Sequence, residues 1–222
     1  DFDNNGKKSV VVYRNLSISE NGNFHLGDQE SLVMYDDDAV ITGVIKKVEN
    51  STPLNNPYDF TYWSSPVLDA SIADVFSGVR SGRTYYFDQS KTTASSPDND
   101  IEGTYWHVWV PANGMMKPGR GYASEGKVDE NNRHQISFEG TPNNGIVYER
   151  VHFNEDEDDG NDYNLIGNPY PSAIDIDLFF DKNEAFIDPV IYLWTHTTPV
   201  SEETGDYSSN DYATYNRTGG TA

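Results

Sequence analysis

The chain has 222 residues, 36% of them apolar and 13% aromatic, and it contains no cysteine. That length supports one large domain or two small ones with a core that needs no disulfide, and the aromatic content is too high for a disordered chain. Thirty-six acidic side chains against 15 basic ones leave a net charge of −21, which repels phosphate backbones and argues against nucleic acid as a partner. The same charge suits solubility and the binding of divalent cations. No apolar run approaches the roughly 18 residues of a membrane span, so no membrane insertion is expected. The chain opens at Asp1 without a basic, apolar leader, so any export signal is expected to be already removed or to lie outside this sequence.

From residue 9 to 49 the apolar residues recur. Leu16, Phe24, Leu32 and Val40 stand eight apart, and Ile18, Leu26, Met34 and Thr42 follow two places later. Apolar-x-apolar pairs separated by Glu20-Asn21-Gly22, Gly27-Asp28 and Asp36-Asp37-Asp38 predict short strands joined by turns. Such a pattern builds a meander or the sides of a β-solenoid. A solenoid buries its core by stacking on neighbours, so a longer array continuing ahead of Asp1 is expected. Residues 50–57, Asn-Ser-Thr-Pro-Leu-Asn-Asn-Pro, read as a linker. The expected division is therefore a solenoid-like or meander segment over 1–50 and a β-sandwich-like domain over 51–222, continuing past the C-terminal residue.

Within the second segment, strands are predicted at 58–67, 84–88, 105–110, 121–124, 134–139, 146–153, 164–166 and 190–195, separated by Gly, Pro, Asn and Asp clusters. That is an all-β signature. One short helix is predicted over 172–181, with Ser172 and Asp175 as a capping pair and Asp175 and Asp177 in its first turn. Pro142-Asn143-Asn144-Gly145 predicts a hairpin turn. From Ser201 onward the chain is polar and Tyr-rich, with no obvious closing element.

Several strings are more specific. Tyr58-Asp59-Phe60-Thr61-Tyr62-Trp63-Ser64-Ser65-Pro66-Val67, Gly119-Arg120-Gly121-Tyr122 and Phe138-Glu139-Gly140-Thr141-Pro142-Asn143-Asn144-Gly145 come first. Asn164-Leu165-Ile166-Gly167-Asn168-Pro169-Tyr170-Pro171-Ser172-Ala173-Ile174-Asp175 and Tyr192-Leu193-Trp194-Thr195-His196-Thr197 follow. In this order they resemble a module of large secreted and surface proteins of flavobacteria and related Bacteroidota, over roughly residues 30 to 216. Such proteins commonly carry C-terminal sorting domains for the type IX secretion system. The resemblance implies an adhesin-like chain at the outer-membrane surface or in the medium, handled by the type IX machinery during export. It also implies more of the module, then a sorting domain, after the segment Asp211–Asn216.

Candidate chemistry is sparse. There is no Gly-x-Ser-x-Gly elbow, no phosphate-cradling Gly-Lys-Ser/Thr loop and no His-Glu-x-x-His helix. His25, His107, His134, His152 and His196 are scattered, and no carboxylate pair stands out from so many acids. A non-enzyme is expected. Calcium is the cofactor with some support. Asn154-Glu155-Asp156-Glu157-Asp158-Asp159-Gly160-Asn161-Asp162 is dense in oxygen donors and would repel itself without a cation or solvent. Asp156, Asp158, Asp159, Asn161 and Asp162 are its candidate ligands, and a solvated acidic loop is the alternative. Asp1-Phe2-Asp3-Asn4-Asn5-Gly6 opens like a calcium loop but meets Val12 where the bidentate acid belongs.

In Tyr105-Trp106-His107-Val108-Trp109-Val110, strand alternation puts Tyr105, His107 and Trp109 on one face and Trp106, Val108 and Val110 on the core face. The first set is a candidate sugar-stacking platform. The alternative, a second buried layer, is the commoner fate of large aromatics. The reading is a non-catalytic, adhesin-like extracellular protein stabilised by calcium, with a surface glycan or protein as ligand. A carbohydrate-binding module of a glycan-degrading protein and a passive spacer or secretion cargo stand as the alternatives.

Overall fold

The computed structural model describes residues 9–56, 58–91, 108–126, 129, 131–153, 162–199, 208 and 211–221. Six short strands come first: β1 (Ser9–Val12), β2 (Leu16–Ser17), β3 (Phe24–Leu26), β4 (Ser31–Met34), β5 (Ile41–Thr42) and β6 (Ile45–Asn50). β1 pairs with β4, β2 with β5 and β3 with β6, all in parallel. A meander would pair sequence neighbours antiparallel. Here each of the first three strands meets the third one after it, so the chain completes one three-sided coil and lays a second upon it.

Ser9 faces Ser31, Leu16 faces Ile41 and Phe24 faces Ile45. The eight-residue period is thus one side of a solenoid coil, with Leu16, Phe24 and Leu32 in successive strands. Val40 falls just ahead of β5 and is exposed. The coils lock at their corners, where Val40 N donates to Asn15 Oδ1 at 2.9 Å and Thr42 Oγ1 to Ser17 Oγ at 3.0 Å. Gly43 makes the closest approach. Its φ is +92°, and a Cβ there would lie 2.3 Å from the Ile18 carbonyl oxygen, so a side chain would hold the coils apart.

The remaining elements are β7 (Phe60–Trp63), the one-turn α1 (Ile72–Val75), β8 (Thr84–Phe87), β9 (Trp109–Pro111), β10 (Tyr122–Glu125), β11 (Gln135–Gly140), α2 (Ile176–Asn183), β12 (Val190–Trp194), β13 (Tyr212–Asn216) and β14 (Gly219–Thr221). Among the described residues the fold is all-β with one helix longer than a single turn. An antiparallel sheet runs in the order β7-β10-β8-β9. Its register places Trp63, Tyr122, Tyr86 and Val110 in one row. β11 adds antiparallel to the outer edge of β6, giving the order β11-β6-β3, and β12-β13-β14 form a third sheet.

One hydrophobic cluster joins these parts. Leu26, Leu32, Ile45, Ile136 and Phe138 pack with Trp63, Val67, Ile72, Phe76 and Tyr122. It crosses the expected division at residue 50, which coincides with the end of β6. The expected linker is anchored: Ser51 and Leu54 are buried, Ser51 N donates to the His134 carbonyl at 2.8 Å, and His134 N returns a bond to Ser51 Oγ at 2.9 Å.

Four local expectations are corrected. The helix starts later than residue 172, because Asp175 itself is the N-cap and its Oδ1 accepts from Asp177 N and Leu178 N; Ser172 instead gives its carbonyl to Asn168 Nδ2. Residues 146–153 alternate in burial but pair in no ladder, and the 164–166 strand reduces to a bridge between Ile166 and Arg120. In the C-terminal segment β14 pairs back on β13 through Asn216 and Gly219. Asn143 and Asn144 form a seam, not a hairpin turn, since their amides reach carbonyls far away in sequence.

Candidate functional site

The downstream seam seals one end of the solenoid. The outer edge of the second coil is occupied on all three sides. β11 pairs along β6 from Ile45 to Asn50. Leu32 N of β4 donates to the Pro171 carbonyl at 2.8 Å. Beside β5, Thr141 Oγ1 bonds the Gly43 carbonyl at 3.1 Å, and Asn144 Nδ2 reaches the Asp36, Asp37 and Ala39 carbonyls at 2.9, 3.1 and 3.4 Å. Asn143 Nδ2 ties the same seam to the Ser65 and Pro169 carbonyls. The Asp36-Asp37-Asp38 turn is as expected, with Asp38 N on Asp36 Oδ1, and its carbonyls are what the asparagine reads.

The opposite edge, formed by β1, β2 and β3, pairs with no strand among the described residues. Its inward-facing side chains show the difference. Val10 stacks on Leu32 in the parallel register, yet Val10 is 38% exposed and Leu32 1%. Leu16, Ile18 and Phe24 are likewise only partly buried against the core.

Of the predicted aromatic platform, Tyr105 and His107 lie outside the described residues. Trp109 sits on β9, pointing away from the row of Tyr86 and Val110, as alternation predicts. It is half-buried, with its ring 5.8 Å from Tyr62 and 5.1 Å edge-on to Phe87. Phe60 and Tyr85, 5.9 Å apart, extend this face. Trp194 and Tyr212 border it: Trp194 stacks on Tyr62 at 6.1 Å, and the Tyr62 and Tyr212 hydroxyls meet at 3.0 Å. The link between Trp194 and Tyr62 joins segments far apart in sequence, and no local spacing could show it. The Trp194 indole nitrogen also donates to the Phe60 carbonyl at 2.9 Å.

Of the predicted calcium ligands, Asp156, Asp158, Asp159 and Asn161 lie outside the described residues, as does the Asp1–Gly6 string. The Asp162 carbonyl accepts from Asn164 Nδ2 at 3.1 Å. No three metal-ligating side chains come together among the described residues.

Sequence reasoning also missed a polar joint between the 51–59 segment and the third sheet, centred on the buried His196 and Asp211. Thr52 Oγ1 bonds His196 Nε2 at 2.7 Å, Asn55 Nδ2 bonds the His196 carbonyl, and Asp211 Oδ1 gathers both hydroxyls of Thr197 and Thr198. Across the core, His134 is 2% exposed, edge-on to Trp63 at 5.4 Å. Burial holds its imidazole down at about 4, so it is neutral near pH 7.

The architecture is that of an all-β domain built onto the end of a short parallel solenoid, with an aromatic sheet face beside it. The chain belongs to the family described as a domain of unknown function, DUF8693, whose model matches residues 1–222. No curated protein and no solved structure matches it.

Proposed function

We propose that this domain is a non-catalytic, terminating part of an adhesin-like surface or secreted protein, one that ends a β-solenoid and is exported by the type IX system. The observation that carries the reading is the sealed second coil. Solenoids need an end piece that satisfies the last backbone edge and presents a polar outer face. Here β11, Thr141, Asn144 and Pro171 fill that role on all three sides. The net charge of −21 fits an exposed, cation-binding setting. Parts of two of the five strings that resemble flavobacterial surface proteins, Gly140–Gly145 and Asn168–Ser172, lie at the seam.

The test is on cells of the producing bacterium. Protease added outside intact cells degrades the protein, and disabling the type IX machinery leaves it inside. Protection in intact cells, or display without that machinery, contradicts the reading.

The carbohydrate-binding alternative has one observation in its favour, the grouping of Trp109, Tyr62 and Phe87 on one sheet face. A flat aromatic ring suits stacking on a pyranose, and Trp109 is only half-buried on that face. A glycan array probed with and without calcium decides it: binding by the wild type that Trp109→Ala abolishes supports the sugar binder, and silence in both conditions removes it.

A further inference from the structure

We infer that the open edge of β1, β2 and β3 is a docking site for one further parallel β-coil of the same kind. That coil would be a stretch of about 22 residues with three short strands and inward apolar side chains. The inference rests on the end-piece reading above and names what the end piece receives.

Three observations converge on this occupant. First, the edge continues an interface already present. The second coil reads the first through parallel pairing on three sides, with Leu16 N bonded to the Val40 carbonyl and Ile18 N to the Thr42 carbonyl. The first coil has the same three-sided outline, so a coil placed before it meets the same geometry. Second, the side chains facing that edge are unfinished. In the Val10–Leu32 column exposure falls from 38% to 1%, the gradient expected when one neighbour is present and another is lacking. Third, the edge strands, though short, carry neither charge nor proline. Natural edge strands are blunted by charge or proline, yet Ser9–Val12, Leu16–Ser17 and Phe24–Leu26 contain no Lys, Arg, Asp, Glu or Pro. By contrast β6, which is paired on both sides, carries Lys46, Lys47 and Glu49. Edge strands left apolar and uncharged are templates for pairing, and the parallel three-sided arrangement selects a coil over an isolated extended peptide.

The experiment inserts a second copy of residues 9–30 directly ahead of Ser9 in the full chain and follows amide hydrogen exchange. Ser17 N, which lies between the two bonded amides Leu16 N and Ile18 N, becomes an interior ladder position. Its exchange is expected to slow at least about 100-fold, in step with new protection inside the insert. The same insert carrying Leu16→Asp and Phe24→Asp is expected to leave Ser17 fast. Val10→Asp is expected to be tolerated in the unextended chain, where that side chain meets water, and to abolish protection when the insert is present. A Ser17 amide that stays fast under the unmodified insert overturns the inference, as does an extended chain that no longer folds. So does a Ser17 amide already slow in the unextended chain at high concentration with a dimer in sedimentation, which assigns the edge to a second copy. Failure of the insert to stack leaves the export reading intact, and loss of export on cells leaves the stacking result intact.

Discussion

His134 makes the stability of this protein fall on mild acidification by an amount the structure sets. Its imidazole is 2% exposed, its Nδ1 has no hydrogen-bond partner among the described residues, and its ring lies edge-on to Trp63. Folding therefore holds it neutral, with its pKa lowered from 6.5 to about 4 by burial. The unfolded chain takes up a proton below pH 6.5 that the folded chain refuses. Stability is thus fully present above that pH and drains away as pH falls towards 4. At about 1.4 kcal/mol per pKa unit, the loss by pH 4 is about 3 kcal/mol, a large share of the 5–15 kcal/mol typical of a domain. Carboxylates also titrate in this range, so the effect is read as a difference. Urea unfolding of the wild type and of His134→Phe is measured at pH 7.5, 6, 5 and 4. Phenylalanine keeps a ring against Trp63 and leaves the backbone bonds to Ser51 in place. The wild type is expected to lose about 3 kcal/mol relative to the variant between pH 7.5 and 4. Two curves that stay parallel would refute a buried, neutral His134.

Gly43→Ala forces a Cβ against the Ile18 carbonyl at a left-handed φ and is expected to cost about 2–5 kcal/mol, seen as a lower urea midpoint. Asp175→Ala removes the N-cap of α2 and is expected to cost about 1 kcal/mol, whereas Ser172→Ala at the sequence-predicted cap is expected to change the urea midpoint little. Calcium binding by the acidic segment through Asp162 predicts a melting temperature that rises with millimolar calcium and returns with chelator; an unchanged temperature in both would count against calcium as a stabiliser.

The first coil was legible because Leu16, Phe24 and Leu32 stand eight residues apart in successive strands, a spacing that lapses in the second coil, where β5 and β6 start only four residues apart. Period alone could not choose between coil and meander, since both alternate strand and turn. The choice lies in which strands pair, and β1 finds β4 across two intervening strands. The aromatic face was half legible. Alternation around Trp109 holds because Val110 stands in the core-facing row, but Tyr62 and Trp194 join it from distant segments. The seam was misread for a related reason. Asn143 and Asn144 have the residue types of a hairpin turn, but their amides are spent on carbonyls of Ser65, Pro169 and the 36–39 turn. A turn residue and a long-range carbonyl reader look alike in sequence. The later start of α2 follows from Asn168, whose side chain takes up both Tyr170 N and the Ser172 carbonyl and closes residues 168–172 into a loop before the helix.

The central claim is a two-coil solenoid sealed on one edge and open on the other, and amide exchange of the unaltered protein near pH 7 tests it most directly. Leu32 N, bonded to the Pro171 carbonyl, and Leu16 N and Ile18 N, bonded into the second coil, are expected to exchange slowly, with Ser17 N between them fast. Uniformly fast exchange through residues 9–26, or a fast Leu32, would contradict the stacked and sealed coils.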